Sequence, residues 1–168
     1  MRSKLITSAI VLVVLAAGGA ALAATSGSSS QAAATQTLKV FSVTVQQEFV
    51  DANLDGPAPG LGDQFVFSDD LFTQKGGEKI GVDGGVCTIV RLDDHGNTTT
   101  AECAVTGELH GGQIAVQGLI TFVGEGGAGT FVLPVTGGTG IYKNVRGQVT
   151  VEELSETEAN LTFELIGA

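Results

Sequence analysis

An all-β domain of eight antiparallel strands, closed as a β-barrel or stacked as a sandwich, is the fold class the sequence predicts. Three observations carry it. From Thr37 onward apolar and polar residues alternate with period two, no segment shows a sustained helical stripe, and the alternating runs are short and joined by segments containing Gly, Asn or Asp. Closure has the added merit of leaving no exposed edge. With 168 residues the chain suffices for one domain with its own core and is too short for two of ordinary size.

The first 24 residues are of another kind. Arg2 and Lys4 make a short basic start, "LITSAIVLVVLAAGGA" is an apolar run, and "ALA" at Ala21 to Ala23 supplies small residues where a signal peptidase reads. The reading is a secretory signal peptide cut near Ala23 or Ala24. The alternative, an uncleaved anchor helix, is disfavoured by the shortness of the run. "TSGSSSQAAATQT" then reads as a flexible tether over 25–36, with the barrel domain from 37 to 168. Strands are expected near 37–49, 63–72, 79–91, 98–108, 112–123, 129–136 and 147–154, and the last is "EANLTFEL". In that last run Ala159, Leu161, Phe163 and Leu165 share a buried face, and Glu158, Asn160, Thr162 and Glu164 a wet one.

Loss of Arg2 and Lys4 with the leader takes the formal net charge from −10 to −12. Such a surface repels nucleic acid and anionic lipid, so neither nucleic acid nor, after cleavage, a membrane is expected as a partner. Two cysteines in a chain bound for an oxidising compartment suggest a disulfide. Between them lies "TIVRLDDHGNTTTAE". Centring a hairpin on His95 makes Asp94, His95 and Gly96 a three-residue loop and sets Cys87 opposite Cys103. Cys103 alternates in phase with Ala101 and Val105, so the pair should point inward. Two reduced, buried cysteines are the alternative.

The glycine-rich stretch "VTGGTGIYKNVRG", Val135 to Gly147, raises the question of a phosphate loop. Such a loop needs a following helix and a Lys with Ser or Thr behind it, whereas Ile141 follows Gly140 and "GQVTVEEL" alternates like a strand. His95 and His110 have no third ligand candidate at metal spacing, so no metal site and no cofactor is expected. No Ser, His and Asp set surrounds a nucleophile elbow.

The segments "GLGDQFVFSDDLFTQKGGEKIGVDGGVCTIV", "GGQIAVQG" and "VTGGTGIYKNVRGQV" resemble, in order and spacing, the plant allene oxide cyclases across Leu38 to Ile166. "VTGGTGIY" with its following "GQV" is also similar to the "GGTGxFxxARG" signature of the dirigent proteins, and "SDDLFT" to their Asp-Asp-Pro-Leu-Thr segment. The resemblance implies an eight-stranded antiparallel barrel, assembly as a homotrimer, and a hydrophobic small molecule held in the barrel. It also places Gly137 to Gly140 at a tight connection on the barrel rim.

Catalysis in both families is implied to be mostly positioning and charge stabilisation. Aligned without gaps, the cyclase first-strand glutamate falls on Val45 and its water-orienting asparagine on Gln47, with Glu48 reachable by a shifted alignment. A valine cannot polarise an epoxide, so the resemblance does not carry strict allene oxide cyclase activity across. The family's pocket cysteine falls on Cys87, and the dirigent arginine on Arg146, a permanently charged donor or else a rim residue paired with Glu152 or Glu153. Asp69 and Asp70 could supply acid and base, or serve as turn residues. The expected catalytic set is therefore Gln47, Asp70 and Arg146, with Val45, Phe67 and Tyr142 as ligand contacts. Tyr142 reads as rim packing more than as a proton donor.

The function expected is that of a secreted cyclase-like or dirigent-like barrel that binds a hydrophobic small molecule and steers its stereoselective cyclisation or coupling. A non-enzymatic, lipocalin-like carrier of an apolar ligand is the alternative, and a barrel with a filled core the plainest. Eight strands are the size at which an interior is either filled or holds one ligand.

Overall fold

The computed structural model describes residues 34–52, 59–93, 98–123 and 129–167. The expected signal peptide and most of the tether, and the His95 loop tip, lie outside the described residues. The strands are β1 (Thr35–Val50), β2 (Gln64–Phe72), β3 (Lys79–Leu92), β4 (Thr98–Leu109), β5 (Gly112–Val123), β6 (Thr130–Gly138), β7 (Arg146–Glu153) and β8 (Glu158–Ile166). Each neighbours the next, and β1 pairs with β8 to close the barrel. All joins are antiparallel. The predicted boundaries hold to within two residues. β1 begins inside the stretch read as tether, because Thr35 and Gln36 pair with Ile166 and Leu165.

Alternation places one side chain in two inside the barrel. On β8 the inward set is the predicted one, with Phe163 and Leu165 buried. On β4 Ala101 and Cys103 are fully buried, and Cys87 stands opposite Cys103 and is bridged to it. The predicted three-residue loop does not follow from this register. A bulge between Ile89 and Arg91 adds a residue to β3 and slides the ladder by one, so the Asp93 N–H donates to Thr98 O at 3.0 Å.

The connections β2–β3, β4–β5 and β6–β7 lie at one end of the barrel. Here the glycine-rich stretch turns through a single 3-10 turn, Gly140–Tyr142, and packs backbone against backbone on the β4–β5 connection. The Ile141 N–H donates to Gly111 O at 3.0 Å and the Thr139 N–H to Gln113 O at 2.9 Å. Gly140 has φ +59°, and a Cβ there would run into the Gly111 carbonyl. The stretch is a seal: with Val40, Val145 and Leu165, all buried, it closes this end.

Candidate functional site

Toward the other end the barrel is hollow. A cavity of about 370 Å³ opens beside the β7–β8 turn, whose Thr157 O accepts the Thr44 N–H at 2.9 Å. Its wall is mainly apolar: Phe67 of β2, Val116 and Ile120 of β5, Leu133 of β6, Val149 of β7 and Phe163 of β8. Gly85 of β3 lets Phe67 and Val105 of this wall pack close, since a Cβ there would stand 2.9 Å from the Phe67 ring and 2.8 Å from Val105. The Cys87–Cys103 bridge forms part of the same wall.

Into this wall β2 and β3 project two carboxyls. Asp69 and Asp83 are cross-strand partners on the inward face, two residues along from Phe67 and Gly85 respectively. Asp69 is buried, and its Oδ2 accepts a 2.7 Å hydrogen bond from the Ser42 hydroxyl, itself buried on β1. Asp69 Oδ1 and Asp83 Oδ1 are buried with no hydrogen-bond partner. Burial, followed by the charge of the neighbouring Asp69, pushes the Asp83 carboxyl up from 3.8 to about 8. Near neutral pH Asp83 therefore keeps its proton. A carboxylic acid kept neutral in an apolar wall can donate a hydrogen bond or a proton to a bound molecule, and its partner can take one away.

The residues expected from sequence distribute unevenly about this site. Gln47 and Phe67 line the cavity, Gln47 at the mouth and Phe67 over Gly85. Val45 does not: the β1 register shifts between Thr44 and Gln46, which turns Val45 out, 53% exposed, and passes the inward phase to Gln47. Asp70 is one residue out of phase with Asp69 and points outside, where it pairs with Lys79. Arg146 is exposed at the sealed end and donates to the neighbouring Val145 carbonyl at 2.6 Å, away from Glu152 and Glu153. Tyr142 packs against the core at that end and borders a separate small cleft with Gln36, Leu38 and Ile141. Asp83 and Ser42 were missed. Both could have been found from phase, Asp83 being four residues before the inward Cys87.

Among the described residues, no group of three or more His, Cys, Asp or Glu side chains could hold a metal ion, and no helix is long and apolar enough to cross a membrane.

Residues 39–164 match the allene oxide cyclase barrel like domain. The chain belongs to that family. Solved structures of this barrel agree. One described as pyocyanin demethylase is similar at TM-score 0.64 and 25% identity, covering 77% of this chain and 99% of its own. The exo-specific intermolecular Diels-Alderase AbnU is similar at TM-score 0.57 and 16% identity, over 78% and 98%. The pterocarpan synthase dirigent protein PsPTS1 gives 0.57 and 16%, over 79% and 93%. No curated protein sequence matches the chain. This member carries Val45 at an outward bulge and a bridged Cys87, and the polar cluster deepest in its described barrel wall is Asp69, Asp83 and Ser42.

Proposed function

We propose that this chain is an exported acid–base catalyst of the isomerase or cyclase kind. It takes a hydrophobic small molecule into the barrel, holds one conformation of it, and steers its cyclisation or coupling with the proton shared by Asp69 and Asp83. The single observation that carries this reading is that carboxyl pair, set into the wall of an apolar cavity of about 370 Å³. A cavity that is mostly apolar with a few convergent polar groups is the usual form of a small-molecule site, and a strongly shifted carboxyl in it marks a proton-transfer role.

The barrel itself does not choose the reaction. Proteins named as a demethylase, a Diels-Alderase and a dirigent protein share it, so the site has to. Here Asp83 donates to the ligand group that gains electron density, Ser42 holds Asp69 in place, and Asp69 accepts a proton as charge shifts. The apolar wall supplies positioning and excludes water, which strengthens both hydrogen bonds. The leader sequence and the bridged cysteines support export to an oxidising compartment.

The test is a chirality measurement. The mature, oxidised protein is incubated with prochiral unsaturated epoxides, polyenones and radical-coupling phenols that react slowly on their own, and rate and enantiomeric excess are followed. An excess above the buffer control for at least one substrate, lost in Asp83→Asn, is expected. Racemic product at the buffer rate despite saturable binding contradicts catalysis and makes the protein a carrier.

A further inference from the structure

The charge of the cavity wall is one-sided. Among the described residues every ionisable side chain that lines it is a carboxyl: Asp69 and Asp83 within, Glu153, Glu156 and Glu158 about the mouth, and no Lys, Arg or His among them. Lys75 is already committed, since it pairs with Glu158 at 2.6 Å and lies over the Phe41 ring. Glu153 is held by the Gly129 N–H at 2.9 Å. Within the cavity the Asp69 side chain is more than nine-tenths buried, and only one of its oxygens is served, by Ser42. Asp69 lines the cavity, and its Oδ1 is buried with no donor from the protein. A buried carboxylate oxygen in an apolar wall is costly until something donates to it.

From these observations we infer that the cavity selects an uncharged or cationic apolar molecule that presents an N–H, an O–H or a protonated nitrogen toward Asp69, and that it rejects carboxylates. The inference rests on the reading of the cavity as a small-molecule site and narrows its substrate class. A fatty-acid carboxylate brought into this space meets Asp69 in a region of low dielectric, with no cation among the described lining residues to offset the repulsion. A donor group in the same place completes the hydrogen bonding that Ser42 begins. It also leaves the protonated Asp83 free to act on a second polar atom of the same molecule.

Three probes with one ring and different heads test this: 1-naphthylmethylamine, 1-naphthalenemethanol and 1-naphthylacetic acid. The chain contains no tryptophan and one tyrosine, so naphthalene fluorescence can be read directly in titrations of the mature, oxidised protein near pH 7. The ammonium and the alcohol are expected to bind, and the acetate at least about tenfold more weakly than the alcohol. In Asp69→Asn the ammonium should lose about tenfold or more while the alcohol moves less than about threefold. An acetate that binds as well as the alcohol overturns the inference and leaves the cavity reading standing, as does an affinity order untouched in Asp69→Asn. Failure of all three probes to bind a folded wild-type barrel sinks the cavity reading and the inference with it. Should Asp69→Asn not fold, the order of the three probes on the wild-type protein decides alone.

Discussion

Replacing Asp83 with asparagine keeps the shape of the side chain and removes its titration, so the effect on stability must depend on pH in a defined direction. In the folded barrel burial and the Asp69 charge raise this carboxyl from 3.8 to about 8. In the unfolded chain it returns to the ordinary value. Between the two values the folded state binds a proton that the unfolded state has released, so rising pH favours unfolding. Stability is fully present below about pH 4, drains away from there upward, and has lost all it will lose by about pH 8. At about 1.36 kcal/mol per pKa unit, roughly three units between pH 5 and pH 8 amount to about 4 kcal/mol as an upper figure. In a domain of this size that corresponds to roughly 10 °C in Tm. The assay is thermal and urea unfolding of wild type and Asp83→Asn in parallel from about pH 5 to pH 9. The variant's advantage over wild type should widen steadily up to about pH 8 and then stay level. Parallel curves at all pH values would show that Asp83 titrates normally, and the proton-holding pair would be refuted.

Three further outcomes follow from other parts of the barrel. Cys87→Ser with Cys103→Ser opens a ring of sequence separation 16 and should cost about 3 kcal/mol, read as a shift in the urea midpoint that reductant reproduces in the wild type. Gly140→Ala forces a side chain onto φ +59° and against the Gly111 carbonyl, so a loss of roughly 2 kcal/mol or more in thermal unfolding is expected, and an unchanged Tm would contradict the seal. Arg146→Ala, exposed at the sealed end, should leave probe affinity and product chirality within about twofold, whereas loss of either would return the dirigent-type arginine to the site.

The fold was legible because period-two alternation is a direct consequence of strand geometry and survives almost without interruption from Thr37 to Leu165. The disulfide was legible in the inward phase of Cys103, whereas the loop centred on His95 reached the same pairing without the bulge that intervenes between it and the cysteines. Phase also contained more of the site than was taken from it. Leu71, Asp69 and Phe67 share one face of β2, and Asp83 shares one with Cys87, which puts Asp69 and Asp83 inside and Asp70 outside with Lys79. What phase cannot deliver is a bulge. The extra residues at Val45 and Val90 invert the alternation beyond them, and nothing in their side chains announces it. That is why Val45 turns outward while Gln47 turns in, and why the His95 loop does not follow from the register at the cysteines. The hollow interior was equally out of reach, because whether eight strands enclose a plug or a space depends on where small residues such as Gly85 meet large ones across the barrel.

Catalysis of the proposed kind needs a carboxyl in the barrel that keeps its proton near neutral pH and meets whatever enters. Carboxyl-selective ¹³C NMR of the mature protein, titrated from about pH 3 to pH 10 with Asp83→Asn for assignment, observes that group itself. The Asp83 resonance should titrate near 8 and move when 1-naphthalenemethanol is added. A resonance that titrates near 4 and ignores the ligand would contradict the account.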